Sequence, residues 1–131
     1  MQQRIKHLLQ ASTLWIAIAI TISIAYLSLI KTNNFPKIAI SNIDKLYHLI
    51  AYFSLTFSWL LALKKSKYKY KVLIGSLLYG IFIEVLQTTL TVYRTGELFD
   101  FLANSVGVLL ALLIFNLFFK KKHLINTKTC K

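Results

Sequence analysis

The sequence is poor in acid, in cysteine and in proline: four aspartates and glutamates, one cysteine and one proline in 131 residues. A single thiol, Cys130, leaves no intrachain disulfide framework and no thiolate metal cluster. A prenylation box is not expected either, because only Lys131 follows that cysteine. Against the four acids stand sixteen lysines and arginines, for a net charge of +12. On a soluble domain such an excess would point to nucleic acid, so the placement of the charges decides what it means.

What the chain has in abundance is hydrophobic side chains, 56% of the total, and its mean hydropathy is positive. That is too apolar for an ordinary soluble domain of this length. Four runs stand out, over residues 8–30, 46–63, 72–93 and 101–119. The first, Leu8 to Ile30, holds 23 residues. At about 1.5 Å per residue it reaches roughly 34 Å, enough to cross the hydrocarbon core. The others hold 18, 22 and 19 residues, with His48 and Glu84 their only ionisable members. A soluble bundle would carry a polar stripe every 3.6 residues, and these runs are apolar all round. The expected fold is all-α: four transmembrane helices in one domain spanning 1–131. The first run exceeds the roughly 7–15 residues of a signal-peptide core and no A-x-A site follows, so it is expected to remain as a helix.

Orientation follows from the basic residues, which short loops retain on the cytoplasmic side. Twelve lie on one side: Arg4 and Lys6, five lysines from Lys64 to Lys71, and five from Lys120 to Lys131. Only Lys31, Lys37, Lys45 and Arg94 lie on the other, together with Asp44, Glu97 and Asp100. Both termini are therefore expected in the cytoplasm. The basic excess becomes a topology signal and a contact for anionic lipid headgroups on the cytoplasmic face. Nucleic acid is not implied, and neither a cofactor nor a metal is expected.

Ionisable groups inside a span are costly and face a bundle interior or a wet cavity, which makes Glu84 the most informative residue. Counting from Lys71 and Arg94 puts it roughly 20 Å from the inner boundary and 15 Å from the outer. Gln87 shares its helix face. Span two begins with Asp44, Lys45 and His48, with Asp44, His48 and Tyr52 on one face; span four repeats the device with Asp100, Asn104 and Gly107. Asp44-x-x-x-His48 and Asp100-x-x-x-Asn104 hint at a parallel internal repeat. By the same count His48 sits about 5 Å below the outer boundary. Direct contact with Glu84 would then need helix tilt or a bridging water, and Gln87 and Asn104 fall between the two and could link them. Gly107 with Ala103 would let another helix approach closely. The bland alternatives are that Asp44 and Asp100 merely cap helix N-termini and that Gln87 and Asn104 hold helices together. The first span offers no such stripe and is expected to serve in packing.

Taken together, Asp44-Lys45-x-x-His48-x-x-x-Tyr52, Glu84-x-x-Gln87, Arg94 and Asp100-x-x-x-Asn104-x-x-Gly107 resemble the VanZ-like family of bacterial membrane proteins. The likeness runs from Asp44 to Gly107, and order, spacing and side of the membrane agree. Thr91-Val92-Tyr93 departs from it, since many members carry a proline-containing turn before the arginine. The resemblance implies a multi-pass protein of the bacterial cytoplasmic membrane. It also implies a link to teicoplanin resistance, with which the founding member is associated, or to envelope homeostasis.

Three functions fit these residues. The first is an outward polar pocket of Asp44, Lys45, His48, Glu84, Gln87, Arg94, Asp100 and Asn104 that binds an anionic lipid or a lipid-linked envelope precursor, with Lys45 and Arg94 as phosphate partners. The second is an intramembrane enzyme on a lipid or polyprenyl substrate, using Glu84 or His48 as acid or base, oriented by Asp44 or Asp100. The third is a small proton-linked carrier, which with four spans would act as a homo-oligomer.

Overall fold

A computed structural model describes residues 2–30, 41–63, 66–90 and 98–128. Among them are four α-helices: α1 (Gln2–Leu29), α2 (Ser41–Leu63), α3 (Lys69–Leu90) and α4 (Leu98–Lys128), with a short 3₁₀ turn at Ser66–Tyr68 before α3. No strand occurs among the described residues. Each helix carries a stretch long and apolar enough to cross a membrane: Gln10–Leu29, Ile43–Leu63, Lys69–Leu90 and Leu98–Phe118. The expected spans are thus recovered with shifted ends. α2 and α3 begin before the lysines that border their apolar runs, and 91–93 of the third span lie outside the described residues.

The distribution of polarity is inverted relative to a soluble bundle. Gln87, Asp100 and Asn104 are buried, as are Thr56, Ser58 and Ser76. The outer surface carries Trp15, Leu27, Ile74, Val85, Leu113 and Phe118, among many other large apolar side chains. Water would make that surface an aggregation hazard, whereas hydrocarbon accepts it.

The neighbours in the bundle fix its topology. His48 meets Glu84 across α2 and α3, while Leu60 packs with Val72, so those two helices run antiparallel. Asn104 meets Glu84 and Lys69 meets Asn116, so α3 and α4 do too. The α2/α4 pair runs parallel, with His48 beside Asn104, Tyr52 and Leu55 beside Val108, and Leu60 beside Phe115. Thr21 beside Tyr79 and Ser28 beside Gln87 make α1 and α3 parallel as well. The polar contacts of the two parallel pairs join residues 56 to 59 apart in sequence. The first value is also the spacing between Asp44 and Asp100 and between His48 and Asn104.

Apolar burial supplies little drive for helix association in lipid, so close backbone packing and interhelical hydrogen bonds must hold the bundle. Gly107 provides the former, as expected. A Cβ there would run into the carbonyl oxygen of Leu49 and come within 3.0 Å of the Phe53 nitrogen. α1 is held by polar contacts despite lacking a polar stripe. Tyr79 donates its hydroxyl to the Thr21 carbonyl at 2.7 Å, and the Trp59 indole donates to the Thr21 hydroxyl at 3.1 Å.

Candidate functional site

The parallel α2/α4 pair brings two acidic first turns together, with Asp44 in the first turn of α2 and Asp100 in that of α4. His48 lies one turn beyond Asp44, and Asn104 one turn beyond Asp100. The Gly107 contact presses the two helices close enough for these second-turn side chains to meet. His48 Nδ1 lies 3.1 Å from Asn104 Oδ1. Asn104 donates its amide, from Nδ2, to Glu84 Oε1 of α3 at 3.3 Å.

That pair of bonds fixes the imidazole. With its Nδ2 on the carboxylate, Asn104 turns a carbonyl-type oxygen to His48, and such an oxygen only accepts. Nδ1 of His48 must then carry a hydrogen. The other ring nitrogen, Nε2, faces Asp44 Oδ2 at 4.0 Å. In the neutral ring that nitrogen is a lone pair turned to the mouth of the cluster; in the protonated ring it is a second N–H between carboxylates on both sides.

Contrary to the depths counted from sequence, His48 and Glu84 approach directly, with Nδ1 3.8 Å from Oε1. Lys45, from which the depth of His48 is counted, lies inside α2 rather than at its edge. His48 lies seven residues from the start of α2 and Glu84 six from the end of α3, so each is roughly 10 Å inside its helix end. Asn104 supplies the expected link. Gln87 donates its amide to the Ser28 carbonyl at 3.1 Å, the helix-to-helix bond expected of it as the alternative to a link with His48. Ser28 is in the last turn of α1, where carbonyls lack a partner within the helix, so Gln87 ties α1 to α3.

Exposure falls along the cluster. The Asp44 side chain is 47% exposed, His48 11% and Glu84 12%. Asp100 and Asn104 are buried, and Glu84 Oε2 is buried with no hydrogen-bond partner among the described residues. Below His48 on the same face, Tyr52 is buried against Gly80, whose missing side chain leaves room for the ring. Lys45 points across to α4, its ammonium 5.7 Å from the centre of the Phe99 ring. Arg94, the other expected cation, lies outside the described residues.

The bundle also assembles a grouping that no single stretch of sequence carries. Ligand atoms of Asp44, His48 and Asp100 all lie within 4.8 Å of one another. One imidazole and two carboxylates suit a divalent transition metal, and Nδ1–H bonded to Asn104 is the outer contact such a histidine normally makes. Bonds of about 2.1 Å would need the three to close up slightly. The 56-residue recurrence of an aspartate at a helix start was the signal that could have found this grouping.

The site combines hydrogen-bond acceptors in its interior, a histidine able to change charge, and a lysine near its mouth. It can hold hydroxyl or ammonium donors, and it places His48 between Asp44 at 4.0 Å and Glu84 at 3.8 Å.

The VanZ/LLP1 family model matches residues 2–119. An uncharacterized protein of Schizosaccharomyces pombe is 35% identical over 92 residues. The aligned region covers 68% of this chain and 56% of the relative, so the chain spans little more than half of that protein's length. No solved structure matches the chain significantly.

Proposed function

The chain belongs to the VanZ/LLP1 family, and from that membership and the geometry of its polar cluster we propose that it binds a lipid headgroup in an outward-facing pocket. In this reading it is a multi-pass protein of the bacterial cytoplasmic membrane with both termini in the cytoplasm. Its ligand is an anionic lipid or a lipid-linked envelope precursor. The observation that carries the reading is the His48–Asn104–Glu84 chain of polar contacts, part-buried within a membrane-type bundle and reaching half-exposed Asp44.

Three acids would disfavour a bare phosphate beside them, so the headgroup must bring donors as well. Sugar hydroxyls or an amine would reach Asp44, Asp100 and Glu84, while the phosphate pairs with Lys45 and with Arg94, the other cation of this side in the sequence. Phosphate plus hydroxyl is chemistry common to bacterial and yeast lipids, which fits a relative in a yeast. A link to teicoplanin resistance or envelope homeostasis is the physiological expectation of this reading.

The test is mass spectrometry of lipid retained by protein extracted in native membrane discs. A specific glycosylated or amine-bearing phospholipid is expected with the parent protein and is lost with Glu84→Gln and with the Lys45→Ala/Arg94→Ala pair. Unchanged retention in both variants would sink the reading.

A second reading is favoured by the placement of His48, whose Nδ1 is bonded to Asn104 and lies 3.8 Å from Glu84 while Nε2 faces Asp44 at 4.0 Å. That is the arrangement of an acid–base residue with an orienting partner, suited to an enzyme cleaving a lipid or polyprenyl headgroup. Full headgroup release by a Glu84→Gln protein would remove Glu84 from that role.

A further inference from the structure

A cavity lies at the lysine-rich end of the bundle, away from the polar cluster. It has a volume of about 370 Å³ and is enclosed by Thr21 of α1, by Leu55 and Trp59 of α2, and by Gly75 and Tyr79 of α3, with Lys71 at its end. From Lys71 to Tyr79 it runs along two turns of α3, roughly 12 Å. Glu84 lies a further turn and more beyond.

The walls are mostly hydrocarbon, and the polar groups at the inner end are already engaged. Tyr79 donates to the Thr21 carbonyl, Trp59 donates to the Thr21 hydroxyl, and that hydroxyl donates to the Ala17 carbonyl at 2.8 Å. A water molecule needs two to four polar partners, and these groups have little left to offer one. Gly75 is exposed, so the cavity opens to its surroundings there, and nothing lies within 4 Å of where its Cβ would stand. In a bilayer, what reaches such an opening is an acyl chain.

The mouth adds charge. Tyr68, which lines the cavity, has two ammonium groups over its ring: Lys67 at 4.9 Å and Lys71 at 6.0 Å from the centroid. The neighbouring Lys69 is turned away and donates to Asn116 at 2.8 Å. An apolar slot ending at two ammoniums matches one kind of occupant in both parts. We propose that this cavity holds an acyl chain of an anionic phospholipid whose phosphate sits between Lys67 and Lys71. The site is separate from the headgroup pocket at the other end of the bundle and does not depend on it.

The experiment uses Trp59 as its reporter. Trp15 is the only other tryptophan and is largely exposed, so Trp15→Phe leaves Trp59 as the sole emitter. The full chain is placed in phosphatidylcholine vesicles containing a minor fraction of phosphatidylglycerol, with one or the other lipid brominated along its acyl chains to quench nearby indole. At equal brominated fraction, phosphatidylglycerol is expected to quench Trp59 more than phosphatidylcholine does. Lys67→Gln/Lys71→Gln should lower that preference by roughly five-fold for each lysine. Gly75→Leu, which fills the slot, should abolish the excess quenching while helicity by circular dichroism stays unchanged. Equal quenching by the two lipids in the parent would mean ordinary surrounding lipid and would overturn the proposal. So would a folded Gly75→Leu protein that keeps the preference. If Gly75→Leu does not fold, the double lysine variant decides alone, and a preference it leaves intact overturns the proposal.

Discussion

Asn104 and Glu84 are joined through the interior of the bundle, the asparagine amide of α4 donating at 3.3 Å to the carboxylate of α3 while its oxygen receives His48 of α2. One side chain thus couples three helices. Asn104→Leu keeps the volume and removes both contacts. It should lower stability by about 1–2 kcal/mol, since interhelical hydrogen bonds in membranes average roughly 0.6 kcal/mol and Glu84 would also lose a partner. Thermal unfolding in detergent measures this, and headgroup retention should fall with it.

Glu84→Gln separates charge from structure. A glutamine oxygen still accepts from Asn104, so the unfolding temperature should stay near that of the parent. The function that depends on the carboxylate, whether headgroup retention or headgroup release, should drop at least about ten-fold, equivalent to roughly 1.4 kcal/mol. A loss of stability as large as that of Asn104→Leu would show that the carboxyl is mainly structural.

Two glycines make opposite predictions. Gly107→Ala drives a methyl group into the Leu49 backbone and should cost about 2–3 kcal/mol or more, because neither helix backbone can yield cheaply. Gly75→Ala meets nothing and improves helix propensity, so it should be neutral or stabilising by up to about 1 kcal/mol. Unfolding of the two variants side by side checks the α2/α4 contact without reference to function.

The attachment of α1 can be dissected in the same way. Tyr79→Phe and Gln87→Leu each remove a hydrogen bond to an α1 carbonyl, at Thr21 and at Ser28. Each should cost about 0.6–1 kcal/mol. The two positions are eight residues apart on α3, roughly 12 Å, so the double variant should show the sum. A cost well above the sum would mean that α1 docks cooperatively.

The lone cysteine reports the topology. With both termini in the cytoplasm, Cys130 should resist a membrane-impermeant maleimide on intact cells and react once they are opened. A Cys130→Ser chain carrying Lys37→Cys should label without opening. The reverse pattern would invert the bundle.

The number and approximate positions of the helices were legible because a bilayer imposes simple demands on length and charge. The cluster was legible in its members, since a polar side chain inside an apolar run is costly unless it faces a partner, and helical spacing shows which ones share a face. Its depth was not. Lys45 lies inside α2 rather than at its edge, so distances counted from it placed His48 too shallow. One partner of Gln87 is a main-chain carbonyl of α1, a group every residue has and no side-chain pattern reveals. The meeting of Asp44 with Asp100 depends on which helices become neighbours, and two matched positions were too little to fix that.

The parallel alignment of α2 and α4 has an electrical side. Each helix carries about half a positive charge at its N-terminus, and here the two ends lie side by side at the mouth of the cluster. Together they amount to roughly one positive charge beside Asp44 and Asp100, with the Lys45 ammonium adding another nearby. A phosphate arriving at this mouth therefore meets a field much closer to neutral than the count of carboxylates alone implies.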